Sequence, residues 1–518
     1  MTTYMLMYSI PEKAGGITSV MLNRSKLLAE KGYSCALLTL DDKNYDPLRA
    51  KLTNSGRLHK EVKIVNLYEE LKMLYDVENT EIENKNMQTF EKLNLLNQEG
   101  FYIQKDEYEE KKYARYFKDN NYIMYKKWIN GQLSHIDYFQ NRKRIKRHVF
   151  QNKILRKEIT FNDKNKMSEV KYLSNDGFCY LSYWYGDNEN IVNIFYFDKN
   201  SKEVLNFKNN KMFHSYWLDK NLTSNDVLIL DGIGTYPKVE NMQNNDVKKI
   251  FTIHTNHFLS PYSYGAEIKP EFRNMLLNLK ELDTLVVLTK EQKDDIIKQF
   301  GDYNNIKVIP NAVSFEENLT QNIREKNSII VLQRFVAMKN ITHIISAINI
   351  VRKKVKDVKL HIYGTGTQKE NYTKLIKKLK LQDNVFIHDY AFDIRGLYTK
   401  ASLSVLTSDY EGLPMSLLEA MSYGVPVISY PINYGPKSII QNNINGIITK
   451  KKDNINELAK KIIHVLKKET LISQFSENAR TTIKTNFSYE AVSKKWIELI
   501  DEKANREQSP LYLQKYQY

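Results

Sequence analysis

Cysteine is nearly absent from this chain: only Cys35 and Cys179 occur in 518 residues. They are far apart and lack CxxC spacing, which argues against a disulfide framework and a structural zinc site and fits a reduced compartment. Long apolar runs are missing as well. No uninterrupted stretch approaches the roughly 18 to 20 residues that span a bilayer, and the mean hydropathy is −0.54. The opening "MTTYMLMYSIPEKAGG" carries neither a basic leader nor a small-residue cleavage site, so a cytoplasmic protein is expected. Acidic charge is in deficit: 77 Lys plus Arg face 61 Asp plus Glu, a net charge of +16. That excess raises encounter rates with polyanions, whether nucleic acid, anionic lipid or a phosphate-linked polymer, without choosing among them. A Lys- and Asn-rich genome gives the same balance with no partner implied.

The length exceeds what one hydrophobic core serves, so two or three domains are expected. The first apolar run, Tyr4 to Ile10, leads through "KAGGITS" into a helical pattern from about Ile17 to Lys31, with Gly32 as its stop signal and a further strand after it. Short apolar strands then recur at "DVLILDG", "KKIFTIHTN", "DTLVVLT" and "IKVIPN", alternating with helical patterns. This spacing predicts a parallel sheet with helices on its faces. A second such series starts at Ser328 with "SIIVLQRF" and runs through "VKLHIYGTG", "NVFIHDY" and "ASLSVLTS". Two tandem α/β domains imply a cleft between them.

Between about 84 and 211 the texture changes. Aromatic and β-branched residues alternate with polar ones in "YLSNDGFCYLSYWYGDNENIVNIFYFDKNS", and turn signals recur. An antiparallel meander is expected there, preceded by a charged helical stretch near Lys85 to Lys118. The basic run "RKRIKRH" (142–148) reads either as a polyanion contact or as protective charge on a strand. The predicted division is 1–83 with 212–312, an inserted β-rich domain at 84–211, a second α/β domain at 313–488, and a terminal helix and tail at 489–518 packing back on the first domain.

In "DYEGLPMSLLEAMSYGVPVIS" (409–429) a helix starts near Pro414 and ends at Gly424. The backbone N–H groups of Met415, Ser416 and Leu417 then face whatever precedes the helix, a setting that suits phosphate. Glu411 lies before the helix and Glu419 more than one turn into it, so they stand at two depths of one ligand and not as a glycosidase pair flanking one bond. Helix-surface glutamates are the plainer alternative. Arg334 and Lys339 follow a strand, where side chains reach the cleft beyond the carboxyl ends of a parallel sheet. Fixed cations there neutralise a diphosphate leaving group; ordinary surface charge is the alternative. Gly15 and Gly16 sit at the first strand-to-helix turn, where a missing side chain permits close approach of a ligand or merely a tight turn.

Taken in order, the glycine pair, Arg-x4-Lys, "HIYGTG", "IPN" and Glu-x7-Glu resemble the family 4 retaining glycosyltransferases, which have two facing Rossmann-like domains (the GT-B fold). The resemblance covers nearly all of the chain outside the insertion. It implies that Arg334 and Lys339 bind a donor diphosphate, Glu419 the nucleotide ribose and Glu411 the donor sugar, helped by the N–H groups of Met415 to Leu417. The backbone near Tyr390 would meet uracil, and Gly15 and Gly16 would face the diphosphate. His254 of "FTIHTNHF" would lie beside the transferred sugar, with His257 as second candidate; a satisfied structural histidine is the alternative for either. "IPNAVS" departs from the family's Pro-Asn-Gly and removes no catalytic side chain.

"GGITSVMLNRSKLL", "LDGIGTYPK", "IHTNHF" and the β-rich insertion are more closely similar to enzymes that glycosylate wall teichoic acid, the poly(glycerol-phosphate) α-glucosyltransferases and poly(ribitol-phosphate) α-N-acetylglucosaminyltransferases. In that subgroup the insertion is associated with trimerisation. The resemblance implies glucose transfer from UDP-glucose to a glycerol-phosphate polymer with α linkage, without metal or other cofactor. It also implies a homotrimer, a polyanionic acceptor and peripheral association with the inner membrane face. The alternative keeps the chemistry and changes the substrates to UDP-N-acetylglucosamine and ribitol-phosphate polymer or a serine-rich protein. A nucleic-acid-binding protein and a non-catalytic scaffold are the readings from other classes; no nucleic-acid module supports the former.

Overall fold

A computed structural model describes the chain except residues 12–15, 109–110, 233, 320–323, 392 and 508–518, with backbone only at 108 and 503–507. Gly15 and the end of the predicted tail lie outside the described residues. Two parallel sheets and one antiparallel sheet are present. The first has seven strands in the order Ile306–Val308, Thr284–Val287, Lys248–Ile253, Val227–Leu230, Thr3–Met7, Cys35–Thr39 and Lys63–Asn66. The second has six: Val385–His388, Lys359–Tyr363, Ser328–Leu332, Leu403–Leu406, Val427–Ser429 and Gly446–Ile448. In both, the first strand in sequence lies inside the sheet and the chain winds outward from it in each direction. The crevice at that reversal is where open parallel sheets hold ligands.

Helices cover both faces because the strands are apolar on both faces; Val227–Leu230, Thr284–Val287 and Leu403–Leu406 are buried at every position. The chain crosses between domains twice, and the crossings are joined where the Val313 N–H donates to the Phe487 carbonyl. The last helix, Tyr489–Glu507, returns to the first domain, seating Val492, Trp496, Leu499 and Ile500 among Met5, Met21 and Leu37.

The ten-stranded antiparallel sheet runs in chain order from Tyr102–Tyr108 to Val204–Phe207. The helix before it is shorter than the sequence suggests. It spans Thr80–Asn94, and residues up to Lys118 continue as the strands Tyr102–Tyr108 and Lys111–Lys118. The helix ends at Leu95, whose backbone is extended, and a turn at Gly100 leads into the first strand of this sheet. The buried Lys126 ammonium takes the Leu93 and Leu95 carbonyls at 2.6 and 3.1 Å, and Gly100 adopts a φ of 80°. Burial pushes Lys126 down to about 8, which its two carbonyl acceptors and the Tyr116 ring at 5.1 Å tolerate.

Four successive turns, Asp119-Asn120, Asn130-Gly131, Asn141-Arg142 and Asn152-Lys153, have positive φ at both residues. This geometry matches the twist of paired strands, and Asn tolerates it better than other non-glycine residues. The basic run falls on the strand Lys143–Gln151 and is largely paired. Arg147 makes a two-pronged contact with Asp137 at 2.6 and 2.7 Å, and Lys146 and His148 both reach Glu158. The strands from Val170 onward bury Tyr172, Tyr180, Tyr183 and Tyr196 in one core with the first domain, whereas Ala114, Tyr116, Met124, Trp128 and Ile136 form a small separate core under Phe90.

Candidate active site in the interdomain cleft

On the second-domain wall the loop after Ser328–Leu332 turns sharply. Close packing of "HIYGTG" shapes it: a side chain on Gly364 would meet the Gln333 carbonyl at 1.9 Å, and one on Gly366 the Phe335 carbonyl at 2.5 Å. The loop leaves Arg334 exposed, near enough to Tyr410 to oppose the rise that burial imposes on that phenol. A short 3-10 turn, Ala337–Lys339, buries Lys339. Its Nζ lies 2.5 Å from Glu411 Oε1, and Ser408 donates to the same oxygen at 2.7 Å. Thr407 Oγ1 lies 3.0 Å from the carbonyls of Lys339 and Asn340, and Asn340 Nδ2 lies 2.9 Å from Asp409 Oδ1. The Lys and Glu are thus held by two loops joined through the Thr407 and Asn340 side chains and the Asp409 N–H, which donates to the Met338 carbonyl at 2.8 Å. An ammonium has three donors, so Lys339 retains capacity beyond the one Glu411 takes.

The helix Met415–Ser422 follows, with Pro414 as its cap residue. The Leu417 N–H already donates to the Pro414 carbonyl at 3.1 Å. This corrects the expectation of three open N–H groups: the first two, on Met415 and Ser416, remain at the helix start because they have no carbonyl one turn earlier. Glu419 is half-buried beside Tyr398 and Tyr489, and desolvation pushes its carboxyl up to about 7. No cation or donor offsets that burial among the described residues. Tyr390 is 46% exposed beyond the outer strand Val385–His388.

The first-domain wall meets this one at Gly412. A side chain there would strike the His254 carbonyl at 2.2 Å and the Thr255 Cα at 2.9 Å. Asn256 Nδ2 donates to the Asn433 carbonyl at 3.1 Å, Tyr434 OH to Asp295 at 2.6 Å and Ser438 to Glu291 at 2.7 Å, so the walls are in register. His254 has a side chain only 5% exposed, with Nε2 at 2.9 Å from Asp231 Oδ1. His257 is fully buried; desolvation, aided by Lys269, pushes it down to about 3. It lies between Gln292 at 3.3 Å and the Tyr434 ring. Gly16 caps the helix Ile17–Glu30 with a φ of 58°, in the left-handed region that favours glycine.

Proximity thus joins Lys339, Glu411, Gly412 and the His254 backbone, while Met415, Ser416 and Glu419 continue the same loop and helix. Ser408, Gly412, Arg24 and Asp231 were not singled out from the sequence. Gly412 had a signal in "EGLP", and Asp231 and Arg24 lay inside quoted phrases that offered no role.

Two facing Rossmann-like domains with cations, a carboxylate and a helix start at their junction define a glycosyltransferase of the GT-B type. Residues 315–482 match the family model "Glycosyl transferases group 1". The chain is 32% identical over 504 residues to a poly(ribitol-phosphate) alpha-N-acetylglucosaminyltransferase of Staphylococcus aureus, covering 96% of this chain and 99% of that one. It is 25% identical over 494 residues to a poly(glycerol-phosphate) alpha-glucosyltransferase of Bacillus subtilis, covering 92% of this chain and 72% of that one. A crystal structure of an S. aureus TarM variant with fondaparinux, alpha-GlcNAc-glycerol and UDP superposes with a TM-score of 0.84 at 28% identity, covering 97% of this chain and 100% of that one. The chain belongs to the group 1 glycosyltransferases, as a retaining hexosyltransferase of the teichoic acid type.

Proposed function

We propose that this enzyme transfers N-acetylglucosamine from UDP-N-acetylglucosamine to a poly(ribitol-phosphate) teichoic acid with α linkage. The observation that carries this is the 32% identity to the S. aureus N-acetylglucosaminyltransferase over nearly the whole of both chains, insertion included. The glucose and glycerol-phosphate reading expected from the sequence has the weaker support, 25% identity to a relative of which 72% is covered. It stands as the second reading.

In this mechanism Arg334 and Lys339 neutralise the diphosphate as the sugar departs, and the N–H groups of Met415 and Ser416 add the positive end of their helix. Glu411, held by Lys339 and Ser408, accepts from hydroxyls of the donor sugar. Glu419 accepts from the ribose, the backbone near Tyr390 meets uracil, and Gly16 leaves room for the diphosphate. The acceptor hydroxyl attacks from the face the diphosphate leaves, and a diphosphate oxygen takes its proton. No enzymatic nucleophile and no metal enter this reading, since Arg334 and Lys339 supply the charge. No helix among the described residues is long and apolar enough to cross a membrane. We propose cytoplasmic action with peripheral attachment through the polyanionic acceptor, and a homotrimer through 84–211, whose outer strands stand on a core separate from the first domain.

The test is UDP release with each donor against each polymer. UDP-N-acetylglucosamine with ribitol-phosphate polymer is expected to turn over fastest; faster release from UDP-glucose with glycerol-phosphate polymer overturns the donor and acceptor assignment.

A further inference from the structure

Two phrases of the sequence have no role in the mechanism proposed above: "NRSKLL" in the first helix and "LDGIGTYPK", which follows on from the strand Val227–Leu230. The fold joins them. Asp231 is completely buried and its two carboxylate oxygens serve different partners: Arg24 Nη2 binds Oδ2, and His254 Nε2 lies 2.9 Å from Oδ1. Thr252 Oγ1 adds a contact to Oδ1 at 2.9 Å. Arg24, with a side chain 4% exposed, is itself held over the Trp496 ring of the last helix at 4.3 Å. Burial disfavours the Asp231 charge, and Arg24 and His254 overcome it and hold the carboxyl below its ordinary range. His254 Nδ1 is buried with no partner among the described residues.

We propose that Asp231, balanced by Arg24, is a positioning residue that fixes His254 with its proton on Nε2, so that Nδ1 presents a lone pair to a hydroxyl of the ligand. A carboxylate accepts only, so its neutral imidazole neighbour must donate from the facing nitrogen and expose the other as acceptor. Arg24 takes the carboxylate's other oxygen, so Oδ1 is held in place to orient the ring. Tyr489 lines the same small cavity, and Gly412, beside Glu411, seats against the His254 backbone. An orphaned buried acceptor costs about 1 to 3 kcal/mol, and a bound hydroxyl removes that cost. The inference rests on the reading that His254 faces the transferred sugar.

Two measurements test it on the full-length enzyme. Histidine-labelled protein, with His254 assigned by difference from His254→Gln, should show the neutral Nε2–H tautomer in its ring carbon and nitrogen shifts. The neutral Nδ1–H tautomer overturns the proposal whatever the activity. Asp231→Asn and Arg24→Gln should then shift the acid limb of the kcat profile in opposite directions, each by about one pH unit. Asp231→Asn leaves Arg24 unbalanced and moves the limb down; Arg24→Gln leaves the carboxylate unbalanced and moves it up. Asp231→Asn should also lower kcat by about 10- to 100-fold with UDP affinity near that of the parent. Folded variants that leave the limb unmoved, or move it the same way, overturn the proposal. If either variant fails to fold, the tautomer in the parent enzyme decides. Should the tautomer be right while His254→Gln retains full turnover, the relay stands and the placement of His254 beside the sugar fails.

Discussion

Lys339 and Glu411 stand 72 residues apart, and the two loops that carry them are joined by a backbone hydrogen bond from Asp409 to Met338 and by side-chain bonds from Thr407 and Asn340. On the facing wall His254 depends on Asp231, and Asp231 on Arg24, 207 residues away, through buried side chains alone. The first arrangement places its groups by chain geometry at neighbouring strand ends, so each loop can be described by a short motif. The second places one group through a chain of charges whose members share no motif. The proposed donor contacts sit on the wall built the first way, and the first-domain histidine sits on the wall built the second way.

The contrast breaks most sharply if the second-domain pair is removed. Lys339→Ala or Glu411→Ala should each lower kcat by about 1000-fold with unchanged circular dichroism, since each group is positioned by backbone that the substitution leaves intact. Retention of full turnover by both variants would refute the site. Next in size is Gly412→Ala, which sets a methyl against the His254 carbonyl. Overpacking of this kind costs about 1 to 3 kcal/mol, and its expected signature is lost turnover with UDP still bound, because the clash parts the walls without altering either. A loss of UDP binding instead would mean that the donor wall depends on its neighbour.

Glu419 sharpens the comparison by pH. Its carboxyl, pushed up to about 7 by burial, is partly protonated at neutrality. Ribose hydroxyls donate to the ionised form, so UDP should bind more tightly from pH 6 to pH 8, releasing a proton. Calorimetry in buffers of different ionisation enthalpy measures this. Glu419→Gln should bind UDP roughly 10-fold more weakly, as expected for one lost charged hydrogen-bond acceptor, and should lose this component of the pH dependence. A smaller effect is expected for Tyr434→Phe, which removes the 2.6 Å contact with Asp295 across the cleft. About 1 kcal/mol of the domain contact should go, read as a several-fold rise in KM with kcat nearly unchanged. Chelation is expected to do least: EDTA treatment followed by assay without added metal should leave turnover as it was.

The sequence made much of the second-domain wall legible. Arg334, Lys339, Glu411 and Glu419 follow or enter regular elements whose periodicity is strong, and strand ends of a parallel sheet face one cleft. It overstated the free helix start, because whether the Leu417 N–H reaches the Pro414 carbonyl depends on the cap conformation. It extended the charged helix to Lys118, because charge alone marks a solvated surface on either a helix or a strand. The turns at Asp119, Asn130, Asn141 and Asn152 recur every eleven residues, and that period was the available signal for the strands.

The alternating apolar segments, the turn residues and the two glutamates straddling a helix start were determined by the sequence itself, since each is a local property of backbone conformation and side-chain spacing. The tertiary structure decided that Arg24, Asp231 and His254 form one buried line of contacts. It also decided that Gly412 must have no side chain and that His257 is buried against Gln292 and the Tyr434 ring. Those outcomes depend on which distant surfaces exclude water together, and no window of neighbouring residues contains that information.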